Sequence, residues 1–355
     1  NMDFFLIHPN FNIHAYSVLF SKYFWKELNY PEFFKITLTE KESFLNALKN
    51  RILLFDGAMG TEIQSYDPSP EDFPNNQDGF NDGLILTHPD WIKEIHRNYL
   101  DAGSDCIETN SFGSNKIKLD EYGFGDQTVD FNKKIALLAS EVCAEYTDTS
   151  RFVIGSMGPT GYLPSSDDPD LGQIPLDEIR TAFELQAEGL ILGGVDALLI
   201  ETSQDILEVK LAIEACHNAI SKTGKKVAII SNTTLDQYGK MLLGTNVESA
   251  YTTVSDMGID LFGLNCSTGP IEMNPSVRWL DEQNEHNLLV VPNAGMPENQ
   301  GGKAVYKMTP EKMAIALGDF LNQYKKVRII GGCCGTNPDH IKSLRKVIDE
   351  KASSI

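Results

Sequence analysis

The sequence predicts an α/β fold, a (β/α)8 TIM barrel carrying an aromatic-rich N-terminal extension. Three observations lead there. From Arg51 onward, short β-rich runs alternate with longer helical patterns, which implies parallel strand pairing. Eight such units occupy about 300 residues, a length that suits a closed barrel. Chemistry-bearing residues also collect just past the predicted strand ends, where barrels of this kind build their sites.

The extension comes first. Residues 1–50 are set apart from a barrel over residues 51–355, because the first 34 residues hold a third of the aromatics, from Phe4 to Phe34. Asn, His, Ser and Lys interrupt every apolar stretch there, so no secretory signal is expected. The plainer reading is a segment packed on the domain surface; a lid or subunit contact is the functional alternative.

Strands are expected at Arg51–Asp56, Asp105–Thr109, Phe152–Ser156, Ala197–Glu201, Val227–Ser231, Leu261–Asn265, Leu288–Pro292 and Val327–Gly331. Helices are expected at Thr87–Ala102, Thr128–Tyr146, Pro175–Leu192, Ile206–Ser221, Val247–Met257, Pro275–Gln283, Pro310–Tyr324 and Pro338–Glu350. Pro89, Pro175, Pro275, Pro310 and Pro338 mark helix starts, where the N–H that proline lacks is not needed. An open doubly wound sheet is the structural rival. It usually carries a dinucleotide turn after its first strand, and Asp56-Gly57-Ala58-Met59-Gly60 does not have that spacing.

Composition bounds the function. The 355 residues carry 30 Lys+Arg against 50 Asp+Glu, a net charge of −20, which argues against a nucleic-acid partner. No apolar run approaches the roughly 18 residues of a membrane span. Six cysteines are too few for a disulfide scaffold, so a reducing, cytoplasmic setting is expected.

Two of the six are adjacent. Cys333 and Cys334 sit between Gly331-Gly332 and Gly335, where glycine permits a tight turn that can aim both sulfurs at one point. Cys266 lies two strands earlier at the same barrel end. Three thiolates without an obvious fourth protein ligand form the pattern of a catalytic zinc with one position open. The alternative is three free thiols, some simply buried near strand ends. Cys106, Cys143 and Cys216 fall inside a strand and two helical patterns and read as core.

Taken together, these motifs resemble the homocysteine S-methyltransferase family, and more narrowly the homocysteine module of its cobalamin-dependent methionine synthase branch. The matching blocks are Phe55-Asp-Gly-Ala-Met-Gly-Thr-Glu-Ile-Gln64, Asn81-Asp-Gly-Leu84, Ile95-His96, Ile107-Glu-Thr-Asn-Ser-Phe-Gly113, Gly158-Pro-Thr160, Leu264-Asn-Cys266, Pro292-Asn-Ala-Gly295 and Gly331-Gly-Cys-Cys-Gly335. The resemblance implies that Cys266, Cys333 and Cys334 hold zinc. It places the amino-acid part of homocysteine against the Asp56-Gly57-Ala58 turn, whose N–H groups can hold a carboxylate. Glu201 would pair with the substrate ammonium, and the Asn293 amide oxygen would fill the fourth metal position until substrate arrives. In the betaine-dependent branch a tyrosine follows the acidic residue; Thr202 stands here, which counts against betaine as donor.

The implied reaction is attack of the homocysteine sulfur on an activated methyl group, giving methionine. Methylcobalamin would be the donor, supplied by a corrinoid-binding module in cis or in trans and not held by this chain, whose nearest corrinoid-type signature is Asp339-His340 at a helix start. Two alternatives stand beside this reading. One is a stand-alone enzyme using S-methylmethionine or another sulfonium donor; the other is a zinc-thiolate or redox-sensing barrel without methyl transfer.

Overall fold

Strand residues buried on both sides must satisfy two apolar surroundings at once, and that requirement shapes this molecule. The computed structural model describes residues 42–301 and 303–353. The aromatic-rich segment up to residue 41 lies outside the described residues. Eight parallel strands form one sheet: β1 (Leu53–Leu54), β2 (Cys106–Glu108), β3 (Phe152–Met157), β4 (Ala197–Ile200), β5 (Ala228–Thr233), β6 (Leu261–Asn265), β7 (Asn287–Val291) and β8 (Val327–Ile330). Their order is β1-β8-β7-β6-β5-β4-β3-β2.

The two ends of that order meet. Asp105 N–H donates to Leu54 O at 2.8 Å, and Leu54 N–H donates to Asp105 Oδ2 at 2.9 Å. One step on, Glu108 N–H donates to Asp56 Oδ2 at 2.9 Å. A side chain thus supplies part of the β1–β2 seam that a longer β1 would have supplied by backbone, and the sheet closes into a barrel.

Alternation assigns each strand residue to a face. Leu53, Phe55, Cys106, Phe152, Ile154, Leu199, Ile230, Leu261, Leu289, Val291 and Ile329 pack together inside the barrel. Their neighbours Leu54, Ile107, Val153, Leu198, Ile229, Phe262, Val290 and Ile330 face outward onto the helices. Fully burying each such side chain contributes about 1.5–3 kcal/mol relative to leaving it exposed. A helix over Phe44–Asn50 places Phe44, Ala47 and Leu48 in the inner cluster, with Phe44 edge-on to Phe152 at 5.6 Å.

The surrounding helices are α1 (Pro89–Asp101), α2 (Thr128–Cys143), α3 (Leu176–Gly193), α4 (Ile206–Thr223), α5 (Val247–Val254), α6 (Pro270–Gln283), α7 (Pro310–Gln323) and α8 (Pro338–Ala352). Pro89, Pro310 and Pro338 open their helices as expected, two of them behind side-chain caps from Thr309 and Asn337. α6 departs from expectation: it begins at Pro270, and Pro275 lies inside it. Both prolines satisfy the same start rule, and the earlier one wins because Gly269 provides the extended cap geometry. Pro175 is the cap of α3 rather than its first residue. Among the described residues no helix is long and apolar enough to cross a membrane.

Candidate metal and substrate site

Past β6, β7 and β8 the chain makes turns that bring three sulfurs together. Cys266 follows β6 with φ +59°, a left-handed conformation that costs a non-glycine residue about 1–3 kcal/mol. Its N–H donates to Val291 O at 3.2 Å. After β8, Gly332 N–H donates to Asp56 O at 3.1 Å and Cys333 N–H to Pro292 O at 2.9 Å. The Cys334 carbonyl accepts from Ala294 N–H at 3.0 Å. Gly335 completes the turn at φ +78°; a Cβ there would collide with the Tyr306 ring, and its N–H donates to Thr61 Oγ1 at 3.2 Å.

The result is a compact cluster. Cys266 Sγ lies 3.7 Å from Cys334 Sγ, Cys333 Sγ lies 4.0 Å from Cys334 Sγ, and all three sulfurs fall within 4.8 Å of one another. Sulfurs bound tetrahedrally at the ~2.3 Å of a zinc–thiolate bond would stand about 3.8 Å apart. The donor set and its spacing therefore fit zinc. Cys334 is pulled down to about 3 by hydrogen bonds from the Cys266 and Cys333 thiols and from the Tyr306 hydroxyl. Cys333 is pushed well up by the thiol bonds to Cys266 and Cys334, with burial added. The bonds among the thiols favour the ionised form of Cys334, and a divalent cation can displace the remaining protons. Cys106, Cys143 and Cys216 are buried elsewhere, as expected of core residues.

The residues predicted to receive the substrate lie at the same end of the barrel. Asp56 is buried beneath the turn after β1, and burial holds its carboxyl well above the usual range. Gly57 is a close approach: a Cβ would stand 2.8 Å from the Tyr99 ring and 2.9 Å from Thr336 Oγ1. Ala58 N–H donates to Thr336 Oγ1 at 3.2 Å, and Ala58 O accepts from the Tyr99 hydroxyl at 3.2 Å. A carboxylate bound by that N–H would have to replace the threonine hydroxyl.

Glu201 follows β4 and is buried, accepting from Ser156 Oγ at 2.5 Å and from Asn265 Nδ2 at 3.0 Å. Burial raises its carboxyl to about 7 and the nearby Cys334 charge adds to this, against the Ser156 bond. Asn293 follows β7, and its Oδ1 is buried with no partner among the described residues. A buried oxygen with spare lone pairs beside a thiol cluster fits an additional metal ligand.

The sequence places Glu108 and Asn265 at strand ends and assigns them no role. Glu108 shares the inward face of β2 with Cys106, and burial followed by repulsion from Glu201 and Asp56 raises its carboxyl well above the usual range. Asn265 ties Glu201 to Thr202, accepting from Thr202 N–H at 3.0 Å. The available signal was parity: two residues past an inward core position, a side chain again points inward. Thr336 and Tyr306 carried no such signal. The buried carboxyls of Asp56 and Glu201, with the half-buried Glu108 repelled by both, make this end of the barrel receptive to a cationic group such as an ammonium.

Comparison with known proteins identifies the family. The family profile described as homocysteine S-methyltransferase matches residues 53–348. A methionine synthase of Mycobacterium tuberculosis is 38% identical over 306 residues, 86% of this chain and 25% of the relative. A methionine synthase of Mycobacterium leprae is 37% identical with the same coverage. The chain thus spans about a quarter of the length of these curated relatives. In fold, the metallated form of the homocysteine methyltransferase MmuM from Escherichia coli superposes with TM-score 0.67, at 22% identity, covering 85% of this chain and 99% of that one. The match of the family profile across nearly all of the barrel shows that this chain belongs to the homocysteine S-methyltransferase family.

Proposed function

We propose that this chain is the homocysteine module of a cobalamin-dependent methionine synthase, receiving a methyl group on the thiol of homocysteine to give methionine. The observation that carries the reading is the sulfur cluster, three cysteines on two separate turns with spacings suited to one tetrahedral ion. The 38% identity to a methionine synthase, of which the match covers only 25%, supports placing it beside further modules.

Cys266, Cys333 and Cys334 would hold the metal, with the Asn293 amide oxygen available to it. A zinc ion there supplies a thiol-binding Lewis acid that lets homocysteine lose its proton near neutral pH, where a free thiol with pKa about 8.5 would largely keep it. Three cysteinates leave the centre with a net charge of 2 − 3 = −1, so the added sulfur stays electron-rich. The protein's own part is orientation. Glu201, held by Ser156 and Asn265, faces the ammonium, and an ammonium there favours its ionised form. The Asp56-Gly57-Ala58 turn would approach the head group from the end of β1, three strands away. No general base is assigned, because zinc held by these cysteines would itself favour loss of the thiol proton. Methylcobalamin, supplied by a corrinoid-binding module in cis or in trans, would provide the methyl group.

Assaying the zinc-loaded chain with homocysteine and each donor tests this. Methionine should form with methylcobalamin. Transfer from S-methylmethionine but not from methylcobalamin would instead favour a stand-alone sulfonium-dependent enzyme.

A further inference from the structure

Above its apolar layers the barrel interior turns polar. Continuing the inward parity of each strand leads to Glu108, Ser156, Glu201, Asn232, Asn265 and Asn293, all at or near the C-terminal ends of their strands. Ser156 and Asn265 are each bonded to Glu201. Asn232 is not. Its side chain is fully buried, and among the described residues neither Oδ1 nor Nδ2 has a hydrogen-bond partner. An amide whose donor and acceptor are both unpaired is a costly occupant of a core that would accept leucine or valine.

The chain makes room for it. Asn232 pairs in register with Gly263 of β6, and a Cβ at 263 would collide with Asn232 Oδ1. On its other side, Ile200 pairs with Ser231, so the next step along β4 brings Glu201 beside Asn232. The amide is therefore adjacent to the buried carboxyl that faces the ammonium in the reading above.

We infer that Asn232 is a substrate-binding residue, its amide recognising the amino-acid head of the thiol substrate next to Glu201. This rests on homocysteine being the substrate. The amide oxygen is an acceptor suited to the ammonium of the amino-acid head. Glu201 supplies charge and Asn232 supplies direction. A thiol that lacks the amino group leaves this acceptor unused, so the residue contributes to substrate choice.

Calorimetric titration of the zinc-loaded chain with homocysteine and with 4-mercaptobutyrate, the same thiol without its amino group, tests the assignment. Asn232→Ala should weaken homocysteine binding about 10- to 100-fold, the range for losing a hydrogen bond to a charged group, and leave 4-mercaptobutyrate within about 3-fold. Zinc content should be unchanged. Asn232→Leu, which keeps the side chain's bulk, should behave in the same way and covers the case in which alanine leaves an unstable void. Wild-type homocysteine affinity in both variants would overturn the assignment, as would equal losses for the two thiols. A wild-type chain that holds zinc but does not bind homocysteine would remove the reading beneath it.

Discussion

Cys266 Sγ and Cys334 Sγ stand 3.7 Å apart although 68 positions separate them in sequence, and although β7 lies between the strands that carry them. Such proximity needs two unusual turns, one left-handed at Cys266 and one glycine-framed around Cys333 and Cys334. Neither turn benefits a purely apolar core. Their cost is intelligible if the sulfurs act together.

Cys333→Ser is expected to reduce bound zinc to a small fraction of the wild-type content and to abolish methyl transfer with it, while far-ultraviolet circular dichroism stays unchanged. The hydroxyl of serine is a far poorer metal ligand than a thiolate. Metal analysis after dialysis, read together with activity, checks this. Full zinc content in the variant would contradict the ligand assignment.

Gly335→Ala should destabilise the protein by about 1–3 kcal/mol and lower its zinc affinity. Alanine would be strained at φ +78° and its Cβ would collide with Tyr306, which itself bonds Cys334. Urea unfolding of the metal-free form measures the first effect, and competition with a chelator measures the second. A loss of stability with unchanged chelator competition would separate the turn from the metal site.

Asp105 joins the barrel ends. Its buried carboxylate accepts from Leu54 N–H, from Arg51, and from Arg345 at 3.0 Å. Asp105→Ala leaves all three donors without it. Because the two arginines are 32% and 24% exposed and can turn to water, the expected loss is about 2–4 kcal/mol, below that for a fully buried network. Denaturant midpoints decide; a change under about 0.5 kcal/mol would mean that backbone bonds alone close the seam.

Glu208 at the start of α4 should tie stability to pH. Burial raises its carboxyl from 4.5 to about 7, while hydrogen bonds from Thr160 N–H and hydroxyl partly oppose the shift. The folded state binds this proton more tightly than the unfolded chain does. Its stabilisation is therefore complete below about pH 4.5 and is lost as pH rises through about 7, by up to about 3 kcal/mol. Glu208→Gln should flatten that part of the profile, which unfolding at a series of pH values from 4.5 to 8 would show.

The barrel was legible in the sequence because alternation of strand and helix, with strands buried on both faces, leaves a strong periodic trace. Helix starts were less so: Pro270 and Pro275 obey the same rule, and only the extended cap at Gly269 distinguishes them. The antiparallel pair Glu298–Gln300 and Lys303–Val305 was invisible, since short polar strands lack an apolar period. In the site, the cysteines stood out because glycines frame the adjacent pair. Glu108, Asn232 and Asn265 were visible as strand-end residues, but giving them a direction required knowing which inward position each strand begins on. Thr336 and Tyr306 reach the site through tertiary packing, about which local sequence is silent.

The backbone bonds of the three cysteines have a consequence for how the ligand set holds its shape. Cys266 N–H is fixed to Val291 O, Cys333 N–H to Pro292 O, and Cys334 O to Ala294 N–H. All three anchor points belong to consecutive or near-consecutive residues at the tip of β7, a strand that contributes no sulfur. That tip serves as a common ruler: both cysteine turns are pinned to it, so the positions of all three sulfurs are set against one short stretch of backbone. The same stretch carries Asn293, so its amide is placed in the same frame as the sulfurs.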